Sequence, residues 1–123
     1  TLERVLGGLL QPLAWALGIP WDEAQLAGSL IGQKFILNEF VAYVTYSEVA
    51  GQLSPHSQAI VIFALCGFAN LSSIAILLGG LGAVAPGRRD DISRYGFRAL
   101  IAASLSNLMS AALAGFFLTL GAA

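Results

Sequence analysis

The apolar residues of the chain fall into four stretches, each bounded by short polar or proline-containing segments. The first stretch, residues 5–18, is interrupted by Gln11 and Pro12. Fourteen residues are few for a bilayer crossing, which takes about 20. The pattern therefore predicts a helix over residues 1–19 that lies at a membrane interface or is buried in protein.

The second stretch, residues 20–50, carries polar side chains at its centre. Asp22 and Glu23 follow Pro20 and suit the positive end of a new helix. Lys34, Asn38 and Glu39 lie near the middle, where charge is costly in hydrocarbon. A re-entrant hairpin, which enters and leaves on one side, keeps such residues inside the protein. We expect this hairpin over residues 20–50, with its tip near residues 31–36.

The third and fourth stretches have the length of membrane crossings. Ser54 can cap a helix with Pro55 at its first position. Residues 66–73 interrupt that helix with small and polar side chains, so residues 54–85 predict a broken transmembrane helix. Residues 90–121 are predicted to form the last transmembrane helix. Alanine and serine recur every four positions along it and form a stripe on which another helix can pack closely.

Composition and charge support a membrane protein. The 123 residues are 57% hydrophobic and 11% charged, with a mean hydropathy of +0.78 and a net charge of -1. Soluble domains carry about 25% charged residues. Residues 49–87 and 99–123 contain no Asp, Glu, Lys or Arg. No basic surface suggests nucleic-acid binding, no motif suggests an enzyme or a bound cofactor, and the lone cysteine excludes an internal disulfide.

Four arginines lie within residues 86–98, at the start of the last predicted helix. The positive-inside rule places this loop, residues 86–98, in the cytoplasm. The C-terminus then lies on the extracytoplasmic side. The chain begins without methionine and is short for a transporter, so we expect it to be a fragment of a longer protein.

Glu39 is the most informative single residue, because an ionisable group in an apolar segment suggests a functional site. A carboxylate can accept hydrogen bonds from two hydroxyls at once, which suits a vicinal diol such as ribose. The alternative is a structural pair with Lys34, although a spacing of five residues is not ideal on a helix. Lys34 could also extend its amine to the membrane surface.

Asn70 and Ser73 share one helix face, whereas Phe68 lies about 200° from Asn70 on a regular helix. All three could face one pocket only if the helix unwinds near Gly67. Broken helices at mid-membrane form the binding sites of many transporters. The alternative, equally consistent with the spacing, is that Asn70 and Ser73 only bond a neighbouring helix.

The run from Gly32 to Tyr43, GQKFILNEFVAY, resembles the G-x-K-x-x-x-N-E-F-V-A pattern of the concentrative nucleoside transporters. The run from Phe63 to Ile74, FALCGFANLSSI, is similar to the family's next motif, and the glycine-rich residues 79–89 continue the likeness. The resemblance implies that the chain is the C-terminal part of the transport domain. It would be the second of two inverted repeats, each an interfacial helix, a re-entrant hairpin, a broken span and a span.

The resemblance also implies a function: cation-coupled symport of nucleosides such as uridine by alternating access, in a homotrimer of the bacterial inner membrane. Glu39, Asn70 and Ser73 would bind the ribose, and Phe68 would be the aromatic contact. The coupling cation, sodium or a proton, would bind mainly in the first repeat, so no metal ligand is expected in this chain. Two alternatives remain open, a transporter of another substrate class and a non-transporting helical membrane subunit.

Overall fold

The computed structural model describes residues 1–122, and these form six α-helices with no strand. The helices are α1 (Leu2–Ala16), α2 (Trp21–Ile36), α3 (Glu39–Val49), α4 (Pro55–Leu65), α5 (Leu71–Val84) and α6 (Arg89–Ala122). Short 3₁₀ turns follow α3 at Ala50–Gln52 and precede α6 at Pro86–Arg88. The prediction of an all-helical chain is therefore confirmed.

Helix α1 packs closely against α2 because glycines lie where the two backbones meet. A Cβ atom on Gly28 would lie 3.0 Å from the Gly7 carbonyl oxygen, and one on Gly32 would lie 2.9 Å from the Leu6 Cβ. Gln11 and Pro12 do not interrupt α1, which is helical across both positions. The small residues of α2 thus serve helix packing.

Helices α2 and α3 form a helical hairpin whose turn differs from the predicted one. We expected the tip near residues 31–36, but α2 stays helical to Ile36 and the turn is Leu37–Asn38. Asn38 is extended, and its side chain accepts a hydrogen bond from the Val41 N–H at 2.9 Å. This N-cap starts α3. Gly32 lies within α2, where it packs against Leu6 of α1.

Helices α4 and α5 are the two halves of a broken helix, separated by residues 66–70. They contain 11 and 14 residues, which at 1.5 Å per residue makes each shorter than a bilayer core of about 30 Å. Asn70 begins α5 as Asn38 begins α3, in an extended conformation with its side-chain oxygen capping the third backbone N–H. Both breaks therefore end on an asparagine cap.

Helix α6 is long and apolar enough to cross a membrane, and it packs along both α4 and α5. Only 22% of its most apolar window is buried within the chain. Helix α6 begins at Arg89, one residue before the predicted start of the last helix. Most of residues 86–98, which were also described as a loop, are therefore helical. Asp90 and Asp91 in the first turn of α6 favour this early start.

The buried core lies where α2, α4 and α6 meet, beneath the end of α1. It consists mainly of small and aliphatic side chains: Ala14, Ile19, Ala24, Ala27, Leu30, Ile31, Ile60, Val61, Ala64, Leu65, Leu108 and Ala111. Many large apolar side chains of α5 and α6 lie outside this core and are exposed. The core thus fixes the hairpin against the broken helix, which positions the candidate site.

Candidate functional site

The carbonyl end of α4 is held by side chains from two other helices. The Tyr43 hydroxyl of α3 donates to the Ile62 carbonyl oxygen at 2.9 Å, and Asn107 Nδ2 of α6 donates to the Ala64 carbonyl oxygen at 2.6 Å. The last carbonyl groups of a helix have no partner within it. These two bonds therefore stabilise an internal helix end that would otherwise leave polar groups unpaired.

The start of α5 is a capping box built from two of the predicted site residues. Asn70 Oδ1 accepts from the Ser73 N–H at 3.0 Å, and the Asn70 N–H donates to Ser73 Oγ at 3.1 Å. Asn70 Nδ2 and Ser73 Oγ both donate to the Phe68 carbonyl oxygen, at 3.3 and 3.1 Å. Both side chains thus have a structural role in starting the helix.

The capping box leaves Asn70 with unused hydrogen-bonding capacity. An amide nitrogen has two hydrogens, and the Phe68 carbonyl takes one of them. Asn70 is only 5% exposed, and its second amide hydrogen has no acceptor among the hydrogen bonds of the described residues. The side chain can therefore cap α5 and still donate one hydrogen bond to a ligand.

The Phe68 ring projects away from the chain, with 70% of its surface exposed. It borders a cleft of about 270 Å³ between α5 and α6, together with Ser73, Ile74, Leu77, Gly96 and Leu100. Neither Glu39 nor Asn70 lines this cleft. The structure therefore brings Phe68, Asn70 and Ser73 together around the break but does not enclose them in one pocket with Glu39.

Glu39 is the first residue of α3, and its Oε2 atom is buried without a hydrogen-bond partner. Lys34 is fully buried, and its Nζ also has no hydrogen-bond partner. No direct ion pair joins Lys34 and Glu39 among residues 1–122, and the Lys34 amine does not reach the surface of the chain.

An unpaired buried charge is costly unless a partner compensates it. The carboxylate of Glu39 lies at the N-terminal end of α3, where the helix dipole is favourable. The dipole does not replace the hydrogen bonds that a buried carboxylate oxygen lacks. The site can accordingly accept hydrogen bonds at Glu39 and donate one at Asn70, a combination that suits hydroxyl groups.

The sequence did not reveal two sets of hydrogen bonds that hold the helices around the site. Glu23 does not serve only its own helix, because its carboxylate accepts bonds from the Ser54 N–H, the Ser54 hydroxyl and the Ser57 hydroxyl at the start of α4. Gln33 and Thr45 join the two arms of the hairpin by a 2.9 Å hydrogen bond. Ser54 before Pro55 signalled a helix start, but no local pattern identified the partners of Glu23 or of Gln33.

Comparison with known proteins identifies relatives along the whole chain. Residues 1–115 match the family described as "Na+ dependent nucleoside transporter C-terminus". The putative nucleoside permease NupX of Escherichia coli (strain K12) is 56% identical over 98% of this chain and 30% of its own length. Sodium/nucleoside cotransporter 1 of Rattus norvegicus is 39% identical, over 94% of this chain and 20% of its own length.

A solved structure shares the fold. The structure of CNTnw in an inward-facing substrate-bound state matches with a TM-score of 0.93 and 56% identity, over 97% of this chain and 30% of that one. The chain therefore spans less than a third of the length of these relatives. With a family match over nearly all of its residues, the chain belongs to the C-terminal family of the Na+ dependent nucleoside transporters.

Proposed function

We propose that this chain is the C-terminal portion of a cation-coupled nucleoside symporter and forms the ribose side of its substrate site. The observation that carries the proposal is the buried Glu39 Oε2, which has no hydrogen-bond partner within the chain. The sodium/nucleoside cotransporter and the nucleoside permeases among the relatives support the substrate class and favour sodium over protons as the coupling ion.

The ribose hydroxyls complement the groups at the two helix breaks. Each hydroxyl donates one hydrogen bond and accepts others. Glu39 accepts from the two hydroxyls, and the second N–H of Asn70 donates to one of them. Ser73 positions Asn70 through the capping box, and Phe68 provides an aromatic surface for the bound nucleoside.

The proposed protein is an integral membrane homotrimer of the bacterial inner membrane, with uridine as a representative substrate and no enzymatic activity. Helix α6 crosses the bilayer, with its arginine-bearing start in the cytoplasm and its C-terminus outside. The hairpin of α2 and α3 is re-entrant and gates the site during alternating access. The coupling cation binds mainly in the first inverted repeat, outside this chain.

The test is uptake of radiolabelled uridine by the full-length protein in proteoliposomes. Glu39→Gln keeps the shape of the side chain but removes its charge and one acceptor. Hydrogen bonds to charged groups contribute about 1.5–3 kcal/mol each, so loss of one such bond, together with loss of the charge that strengthens the other, is expected to abolish uptake. The yield of folded protein is expected to change little.

Glu48→Gln is the matched control, since Glu48 lies on the same helix but is exposed. It is expected to transport uridine like the unchanged protein. Normal uptake by Glu39→Gln would refute the site. A panel of competing solutes separates the alternatives, because only a nucleoside transporter requires an intact ribose.

A further inference from the structure

Lys34 has no role in the site as described so far, although its environment is unusual. Among the residues that the structure describes, it is the only charged side chain with no exposed surface. Its Nζ makes no hydrogen bond, and its one aromatic contact is the ring of the adjacent Phe35, at 4.6 Å from the centroid. A buried ammonium without a partner is rarely retained for stability alone.

The Lys34 amine reaches from the hairpin into the break between α4 and α5. A Cβ atom on Gly67 would lie 3.0 Å from Lys34 Nζ and 2.7 Å from Asn107 Nδ2. The amine, the Asn107 amide and the Gly67 backbone therefore meet at one point. Any residue other than glycine at position 67 would have to displace one of the two side chains.

The amine lies near the negative end of a helix. Helix α4 ends at Leu65, and the carbonyl end of a helix carries a partial negative charge that favours a cation. No Asp, Glu, Lys or Arg occurs from residue 49 to residue 87, so neither half of the broken helix supplies a charge of its own. Lys34 is thus the cation available to this helix end.

We propose that the Lys34 ammonium is a tethered cation, which occupies the break between α4 and α5 beside the carbonyl end of α4. Together with Glu39 it makes the net charge of the two breaks zero. A neutral site matches a neutral sugar, so Lys34 selects uncharged nucleosides over cationic solutes. This selectivity rests on the proposed function, whereas the tethered cation itself does not.

The first experiment measures thermal stability and needs no nucleoside. Lys34→Ala in the full-length protein removes the ammonium and opens space for a small amine. The Tm of this variant is expected to rise with the concentration of propylammonium, because a ligand that binds only the folded state stabilises it. Propanol, which has a similar shape but no charge, is expected to have a much smaller effect, and so is propylammonium on the unchanged protein.

The second experiment measures uridine affinity in a series that separates charge from volume. Lys34→Met fills the space without charge, and Lys34→Arg keeps the charge. A cation at a helix end corresponds to about two- to fivefold in an equilibrium constant, and to about thirtyfold at most where the helix end is partly buried. Lys34→Met is therefore expected to lower both the Tm and the uridine affinity, and Lys34→Arg is expected to retain more of both.

Several results would overturn the proposal. Equal stabilisation of Lys34→Ala by propanol and propylammonium would show that Lys34 only fills space. Unchanged uridine affinity in Lys34→Met would show that the charge is not needed. If Lys34→Ala cannot be purified, propylammonium during extraction should restore folded protein, and failure to do so would also count against the proposal.

The outcomes also separate this proposal from the function on which its selectivity rests. If the unchanged protein binds no nucleoside, the proposed function fails, while the stability measurements still decide the role of the ammonium. If the unchanged protein binds uridine and the Lys34 variants behave like it, the proposed function stands and the tethered cation is refuted.

Discussion

Asn70 combines two roles, as a helix cap and as a proposed hydrogen-bond donor, and a single substitution separates them. Asn70→Asp keeps the oxygen that accepts from the Ser73 N–H, and aspartate is as good an N-cap as asparagine. The substitution removes both amide hydrogens, the one given to the Phe68 carbonyl and the one available for a ribose hydroxyl. Asn70→Ala removes the cap and the donor together.

The hydrogen bonds that each substitution removes set the expected loss of stability and of uridine binding. Asn70→Asp loses the 3.3 Å bond to Phe68 and places a buried carboxylate oxygen against that carbonyl oxygen, so it is expected to be destabilised by about 1–3 kcal/mol. Asn70→Ala loses the same bond without adding a charge, but it also loses the cap, which costs about 0.5–2 kcal/mol. A ribose hydroxyl left unpaired costs about 1–3 kcal/mol of binding, so both variants should bind uridine at least several-fold more weakly.

The assay is paired: thermal stability and equilibrium uridine binding of the full-length protein in detergent. We expect Asn70→Asp to bind uridine several-fold more weakly while α5 stays capped and the protein stays folded. Ser72→Ala is the control, because Ser72 is an exposed neighbour on α5, and it should resemble the unchanged protein in both measurements. Wild-type affinity in Asn70→Asp, with weak binding only in the unstable alanine variant, would show that Asn70 is a cap and nothing more.

Three further predictions concern the packing that supports the site, each checked by thermal stability of the full-length protein. Gly28→Ala should destabilise it by about 1–3 kcal/mol, since its new Cβ would meet backbone atoms of α1 at 3.0 Å; an unchanged Tm would contradict the close packing. Asn107→Leu should cost about 1–3 kcal/mol, because the Ala64 carbonyl oxygen loses its donor; a gain in stability would contradict that role. Glu23→Gln should lower the stability by about 1–2 kcal/mol, because Ser57 at the start of α4 loses its charged hydrogen-bond partner. If the carboxylate acts mainly through its charge, the difference in Tm between this variant and the unchanged protein should shrink at high salt.

The sequence predicted the helical class and the break in the α4–α5 helix because their signals are local. Residues 66–73 are small and polar, and Gly67 lacks a side chain, so the break could be predicted without knowing any neighbour; that Asn70 and Ser73 form a capping box was not predicted. The tip of the hairpin was predicted too early in the chain because glycine, here Gly32, is common in turns. Its small size instead lets α1 approach α2, which depends on the position of Leu6.

The candidate site residues were named from the sequence, but the groups that surround them could not be. Nothing in the spacing of Lys34 and Glu39 shows that both are buried and unpaired, since that depends on how the hairpin packs against the broken helix. The partners of Glu23 lie about 30 positions away at the start of α4 and follow from tertiary packing alone. A local pattern identifies a cap or a charge, whereas its partner is set by the fold.

The central claim is that this chain forms part of a cation-coupled nucleoside symporter, and uptake by the full-length protein tests it most directly. Radiolabelled uridine would be offered to proteoliposomes with and without an inward sodium gradient, and with the proton gradient collapsed separately. We predict uptake that requires one of the two gradients, with sodium favoured by the relatives. No uptake of uridine, adenosine or any other nucleoside under either gradient, from protein shown to be folded, would contradict the account.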